Sequence, residues 1–230
     1  MNYAIIFAGG VGSRLGSNIP KQFLEIENVP ILIRTIQHFD NCALIDQIIV
    51  ISKKEYVEKT QQLIESFNIK KIIAVLIGGI TAFESQQNGV DFVSKHSMSK
   101  EDIVLVHDGV RPFISEELIK SCISAVKEKG TAITVSPAFE TIAIKNKKGS
   151  INETIPRQDC LIARAPQAFY VKDLVNAHCR AKKENKTYID SASMMLDQNI
   201  ALNPIMGPDE NIKITTQYDY LVAKLLVKEK

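Results

Sequence analysis

At 230 residues with 45% hydrophobic side chains, the chain is long enough to bury one substantial core, and one domain over residues 1–230 is expected. A formal net charge of +2, with 23% charged residues spread along the chain, leaves no basic tract and argues against nucleic acid as a partner. Cys42, Cys122, Cys160 and Cys179 form no CxxC pair, the four histidines are scattered, and no apolar stretch approaches the roughly 20 residues of a membrane span; a zinc site, a disulfide framework and a membrane anchor are therefore all unexpected.

The opening "MNYAIIFAGG" has no basic region before its short apolar run, so no signal peptide is expected and the thiols suit a reducing cytoplasm. Residues 3–8 read as a first β-strand, followed by the glycine-rich stretch "FAGGVGSRLGSNIPKQF". Apolar residues three and four apart predict helices over 30–39 and 55–67, and short β-rich apolar runs predict strands over 47–52, 72–77 and 103–106. Ser115 before Glu116 and Glu117 reads as the N-cap of a helix that ends at Gly130. This alternation is the pattern of an α/β protein with a parallel sheet covered on both faces. Residues 137–161 break the rhythm: two alternating runs flank the polar turn "NKKGS", which predicts a hairpin projecting from the sheet. Thr216, followed three residues on by Asp219, marks a capping-box-like start for a terminal helix.

A strand, then glycines, then a helix is the general recipe for a phosphate site, because glycine lets backbone N–H groups approach an anion. Gly10, Gly12 and Gly16 are spaced G-x-G-x-x-x-G, and no acid ends the 47–52 strand, which disfavours a dinucleotide site. No lysine followed by Ser or Thr closes the run, so it is not a Walker A loop either. Arg14 and Lys21 add two cations, a combination suited to a polyphosphate whose leaving group gathers negative charge. Asp108 ends a central strand at the edge where open α/β sheets bind ligands. His107 beside it reads as a buried residue satisfied by one hydrogen bond.

These motifs together resemble the cytidylyltransferases of sugar-alcohol phosphates, a family comprising methylerythritol-phosphate and ribitol-phosphate cytidylyltransferases. "AGGVGSRLG" and "PKQF" resemble its nucleotide loop, "GG" with Ser85 a second nucleotide segment, and "HDGVRPF" its acidic strand end. "ETI", "IPR" and "APQAF" resemble its arm, and "IDSAS" and "ENIKITT" its closing motifs. The resemblance implies a three-layer, Rossmann-like nucleotidyltransferase fold with a β-hairpin dimerisation arm, and hence a homodimer. It implies CTP contacts from Ala8, Gly9, Gly10, Gly12, Ser13, Gly78, Ser85 and Asp108, with Arg14, Lys21 and Lys213 carrying the catalytic positive charge. It assigns the polyol phosphate to Arg111, Thr141 and Arg157, the last two coming from a neighbouring subunit, and makes Asp108 a candidate ligand for Mg²⁺.

Such a reaction needs no catalytic His or Cys, because its nucleophile is a phosphate oxygen already anionic at neutral pH. Where methylerythritol enzymes carry an arginine shortly after "GG", this chain has Ala82 or Phe83; "TDDAS" is replaced by "IDSAS" with Ser191, and "QTPQ" by "RAPQ" with Arg164 and Ala165. "PKQFLEIENVPILIRT" and "HDGVRPF" resemble the ribitol-phosphate branch more closely, so ribitol 5-phosphate is the expected acceptor and methylerythritol 4-phosphate the alternative. Two competitors share the opening loop. A regulatory nucleotide-binding protein would not require Arg14, Lys21 and Lys213 together, and a sugar-1-phosphate nucleotidyltransferase using UTP or GTP would not explain "IPR" and the hairpin.

Overall fold

The β-rich runs become neighbours in one mostly parallel sheet of seven strands among the described residues, 1–10 and 19–228 of the computed structural model. In chain order the elements are β1 (Asn2–Ala8), a two-strand ribbon of β2 (Glu25–Ile26) and β3 (Val29–Pro30), α1 (Ile31–Asn41), β4 (Gln47–Ser52), α2 (Val57–Ser66), β5 (Ile72–Ile77) and α3 (Ala82–His96). There follow β6 (Ile103–Asp108), α4 (Glu116–Lys129), β7 (Thr131–Pro137), β8 (Ile142–Lys145), β9 (Ile151–Ile155), β10 (Leu161–Tyr170), α5 (Val171–Lys183), α6 (Ser191–Asp197), β11 (Pro204–Met206) and α7 (Gln217–Lys228). The sheet order is β11-β7-β10-β6-β1-β4-β5.

β1 lies inside the sheet, paired in parallel with β4 and β6, and residues 3–6 are fully buried. The strand period of two divides its side chains between two cores. Ala4, Ile6 and Ala8 join β4's Ile48 and Val50 and β6's Ile103 and Leu105 under α1 and α4. Tyr3 and Ile5 join Ile49, Ile51, Val104 and Val106 under α3 and α5. A near-continuous apolar run is what a strand covered on both faces requires. Helices on each side make the three layers.

Local signals set several boundaries. Ser115 caps α4 by accepting from the Leu118 N–H at 3.2 Å, and Gly130 ends it in the left-handed region at φ 87°. Thr216 accepts from the Asp219 N–H at 3.1 Å while the Asp219 carboxylate accepts from the Thr216 N–H at 2.8 Å, closing the box before α7. The 55–67 segment starts with a 3₁₀ turn at Lys54–Tyr56 before becoming α2. β6 runs two residues beyond the expected 106, because Ile6 and Phe7 still offer partners to His107 and Asp108.

β10 departs from the parallel pattern, running antiparallel to both β6 and β7. The cause is the excursion between β7 and β10: the chain leaves as a hairpin, β8 paired with β9, and returns in the opposite direction. That hairpin has an exposed surface, and Phe139, Ile151, Leu161 and Ile162 on it and its stem are 66%, 70%, 52% and 47% exposed. No described helix is long and apolar enough to cross a membrane.

Two histidines are buried uncharged. His107 donates one hydrogen bond from Nε2 to the Arg111 carbonyl, 3.0 Å away, and leans on Phe39; His178 stacks on Phe83 with ring centroids 5.0 Å apart. Burial pushes both down to about 4. Unfolding returns each to about 6.5, so the unfolded chain binds more protons between those values and stability falls as pH drops through that window. We expect denaturant midpoints to decline steadily from pH 6.5 to 4.5, with His178→Leu removing about half of the slope attributable to histidine. An unchanged slope in that variant would place the acid sensitivity elsewhere.

Candidate active site

Because β1, β4, β5 and β6 run parallel, their carboxyl ends share one edge of the sheet. A cavity of about 550 Å³ opens there, a size suited to a small-molecule site. Ala8, Gly9, Gly10 and Lys21 line it from the β1 side, Gly78, Gly79 and Ser85 from the β5 side, and Asp108 and Arg111 from the end of β6. Lys213 closes it from the segment before α7. Residues distant in sequence thus converge on one space. Gly12, Ser13 and Arg14 lie outside the described residues.

The return of the opening loop is pinned by a residue whose burial its polarity conceals. Gln22 is fully buried and its Nε2 donates to the Ala8 carbonyl at 2.9 Å, fastening the turn Lys21–Phe23 to the end of β1. Lys21 consequently runs beside Gly10, where a Cβ would sit 2.9 Å from Lys21 Cε. Glycine at position 10 leaves room for that aliphatic stem.

The second glycine pair is held as tightly. The Gly78 N–H donates to the Ser52 carbonyl at 2.7 Å, and the Gly79 N–H to Ser85 Oγ at 3.0 Å. Ser85 Oγ in turn donates to the Thr81 carbonyl at 2.9 Å. Thr81 and Glu84 form a capping box, with the Glu84 carboxylate also accepting from the Ile80 N–H at 2.6 Å. A Cβ on Gly78 would stand 2.8 Å from Ser85 Oγ, and one on Gly79 would overlap the Glu84 side chain. Close approach, rather than a special φ, requires both glycines.

Asp108 is the electrostatic centre. Its Oδ1 lies 2.6 Å from Lys213 Nζ and its Oδ2 3.3 Å from Arg111 Nη2. Burial alone would raise its carboxyl, but Lys213 and then Arg111 overcome that and hold it below the ordinary carboxylate value. Arg111 is itself buried, which weakens its hold on its proton, while Asp108 opposes that shift. One carboxylate set between two cations leaves net positive charge facing the cavity.

Residues 2–229 match the family described as IspD, 2-C-methyl-D-erythritol 4-phosphate cytidylyltransferase. The chain belongs to this family. It is 40% identical to a ribitol-5-phosphate cytidylyltransferase of Streptococcus agalactiae serotype III (strain NEM316), over 98% of this chain and 95% of that protein. It is 33% identical to a 2-C-methyl-D-erythritol 4-phosphate cytidylyltransferase of Clostridium botulinum (strain Loch Maree / Type A3), over 99% of this chain and 98% of that protein. The crystal structure of the Francisella tularensis 2-C-methyl-D-erythritol 4-phosphate cytidylyltransferase superposes with a TM-score of 0.82 at 28% identity, covering 97% of this chain and 98% of that one.

Within this cytidylyltransferase fold, Thr141 and Arg157 stand apart from the main cavity. They line a smaller one of about 290 Å³ on the hairpin, where Arg157 Nη1 donates to the Phe139 carbonyl at 2.9 Å. The positions that distinguish this chain have definite surroundings. Ala82 lines the main cavity, whereas Phe83 points into the core against His178 and Tyr188. Ser191 is buried and donates to Gln86 Oε1 at 3.3 Å, so a carboxylate in its place would be a buried charge. Gln167, inside "APQAF", bridges Asp190 Oδ2 at 3.1 Å and the Ala192 N–H at 2.9 Å; the sequence gives no sign of this bracing.

Among the described residues no group of three or more His, Cys, Asp or Glu side chains could cage a metal ion. A lone carboxylate beside room for phosphates nevertheless fits a divalent cation of the Mg²⁺ type, which takes one or two carboxylates and completes its shell from phosphate and water. Asp108 is so placed at the end of β6; Asp190 also lines the cavity but is engaged by Ser193 and Gln167 at the start of α6.

The tight glycine pair makes a local prediction. Gly79→Ala forces the start of α3 to move and is expected to cost about 1–3 kcal/mol, the usual range for overpacking. Urea denaturation checks it; an unchanged midpoint would mean that the segment yields freely.

Proposed function

We propose that this protein transfers CMP from CTP to D-ribitol 5-phosphate, releasing pyrophosphate and forming CDP-ribitol. The observation that carries the reading is the convergence, on one glycine-walled cavity at the strand ends, of Lys21 with Asp108 and its two paired cations, Arg111 and Lys213. Cations so arranged match the chemistry of a triphosphate. The reading treats residues 1–230 as one catalytic domain and places it in the cytoplasm, which suits four unpaired cysteines.

In this reading the acceptor's phosphate oxygen attacks the α-phosphorus of CTP in line, forming a new P–O bond as the bond to the bridging oxygen breaks and pyrophosphate departs. The nucleophile arrives ionised, so the protein's task is positioning and charge neutralisation. Gly9 and Gly10, with Gly12, Ser13 and Arg14 of the same loop, hold the phosphates, and Lys21 takes charge developing on the leaving group. Gly78, Ser85 and the β5–α3 turn accept the cytosine and ribose. Lys213 faces the α-phosphate, where incoming anions compete with Asp108 for its ammonium. Asp108 would hold Mg²⁺, which neutralises charge on the triphosphate when bound.

Arg111 is assigned to the acceptor phosphate, joined by Thr141 and Arg157 from the arm of a second copy. A homodimer through the arm is supported by the exposed Phe139, Ile151, Leu161 and Ile162 and by the marginal stability of an isolated two-strand hairpin. The 40% identity to a named ribitol-5-phosphate enzyme, against 33% to a methylerythritol one, favours ribitol phosphate as acceptor. Ala82 and Ser191, in place of charged residues, point the same way.

Pyrophosphate release measured with CTP and Mg²⁺ should be faster with D-ribitol 5-phosphate than with 2-C-methyl-D-erythritol 4-phosphate, and UTP and GTP should be poor donors. Preference for the methylerythritol substrate would move the protein to isoprenoid synthesis; no release with any nucleotide would leave only a binding role. Arg157→Met should raise the acceptor KM about 10- to 100-fold, as loss of a charge-assisted hydrogen bond implies, with the CTP KM within about twofold. An effect on CTP alone would remove the arm from the acceptor site.

A further inference from the structure

Lys213 sits in a segment without regular secondary structure, between the end of β11 and the start of α7. Nothing in helix or sheet aims such a segment, so its carbonyls need donors from elsewhere. Arg164, on β10, supplies them. Its Nη1 lies 3.2 Å from the Pro208 carbonyl, 3.3 Å from that of Asp209 and 3.4 Å from that of Asn211.

Asn211 is the point where these bonds meet. It is fully buried; its carbonyl also accepts from Arg111 Nη1 at 2.6 Å, and its Nδ2 donates to the Ala165 carbonyl at 2.8 Å. Its own N–H closes a turn onto the Pro208 carbonyl at 3.1 Å. Two residues on, Lys213 reaches Asp108, and the Ile214 N–H donates to the Val110 carbonyl at 2.9 Å. The segment is therefore clamped to β10 on one side and to the turn after β6 on the other.

We propose that Arg164 is a positioning residue, which brackets the 208–211 carbonyls, fixes Asn211 and so aims Lys213 into the cavity. The inference rests on the reading that Lys213 acts at the α-phosphate. All three contacts run to one nitrogen, Nη1, and each is long and weak alone; a lysine Nζ stands one bond nearer the backbone and falls short of carbonyls already at the limit of hydrogen-bond distance. A misplacement of about 1 Å at a reacting group is enough to cost up to about 100-fold in rate.

The test is a double-mutant cycle in steady-state CTP and D-ribitol 5-phosphate kinetics, with Arg164→Met, Lys213→Ala and the pair. Arg164→Met should lower kcat about tenfold while both KM values stay within about threefold, and Arg164→Lys should not restore the rate. In the Lys213→Ala background, Arg164→Met should cost less than about twofold, because the residue through which it acts is gone. An equal cost in both backgrounds, or a rise confined to the acceptor KM, would overturn the inference while leaving the proposed reaction intact. Wild-type turnover in Lys213→Ala would instead sink the role of Lys213, and this inference with it. Should Arg164→Met not fold, Arg164→Lys carries the same comparison.

Discussion

A carboxylate at the end of a central strand cannot stay partly buried without countercharge, and the answer to that constraint organises the whole active-site edge. Asp108 ends β6 with its side chain 25% exposed, between a lysine and an arginine. Arg111 comes from the turn just after the strand, but Lys213 belongs to a segment near the end of the chain. Neutralising one charge therefore ties the last segment of the molecule to the middle of its sheet. Around that tie the remaining bonds arrange themselves: Arg111 continues to the Asn211 carbonyl, Ile214 pairs with Val110, and the cavity acquires its closing wall. In the proposed reaction the same pair sets Lys213 toward the cavity ahead of the substrate. Asp108 supplies Lys213 with an anion until phosphates replace it, so the positive charge is held in place before the substrate arrives rather than gathered afterwards.

The parts of this fold that could be read in the sequence are those fixed by local physics. An apolar run of strand length at residues 3–8 has to be covered on both faces, and it is β1. Ser115 and Gly130 bound α4 because a side-chain acceptor and a left-handed C-terminal residue are needed at those two places regardless of what surrounds the helix. Asp108, Arg111, Lys21 and Lys213 were legible as candidates through motif resemblance, and the structure brings them to one cavity. The direction of β10 was not legible: periodicity reports which side chains are buried, not which way a strand runs, and the direction follows from the hairpin that precedes it. Gln22 looks like a surface residue by composition, yet it is buried because only a long amide reaches the Ala8 carbonyl from the turn. Arg164 stood out only as a departure from the family pattern and Asn211 only as part of "ENIKITT"; what they hold was not legible, since it consists of backbone carbonyls, which every sequence contains.

The hairpin is the part of the chain with the least support from the main sheet. β8 and β9 pair only with each other, and the largest apolar side chains on the arm and its stem face outward. Two strands bury too little to hold a hairpin firmly in water. The same excursion turns β10 around, and β10 then contributes Arg164, Ala165 and Gln167 to the main cavity. The arm and the active site are thus coupled through one strand. A second copy that steadied the hairpin would steady the base of the site as well.

Two kinds of support for the cavity follow from this arrangement, and they differ in how they fail. Gly79, Ile80, Thr81, Glu84 and Ser85 form a local unit whose bonds lie within a few residues, and the Gly78 N–H ties it to the Ser52 carbonyl at the end of β4. The Lys213 segment is the opposite case, held by hydrogen bonds to β10 and to the turn after β6, each spanning a long stretch of chain. Each of these clamps joins segments far apart in the chain, which makes the α-phosphate side of the proposed site the part most dependent on the rest of the fold. The β5–α3 turn, by contrast, is shaped largely by its own sequence. That asymmetry suits the proposed reading, in which the local unit takes the nucleotide that relatives named for either acceptor share.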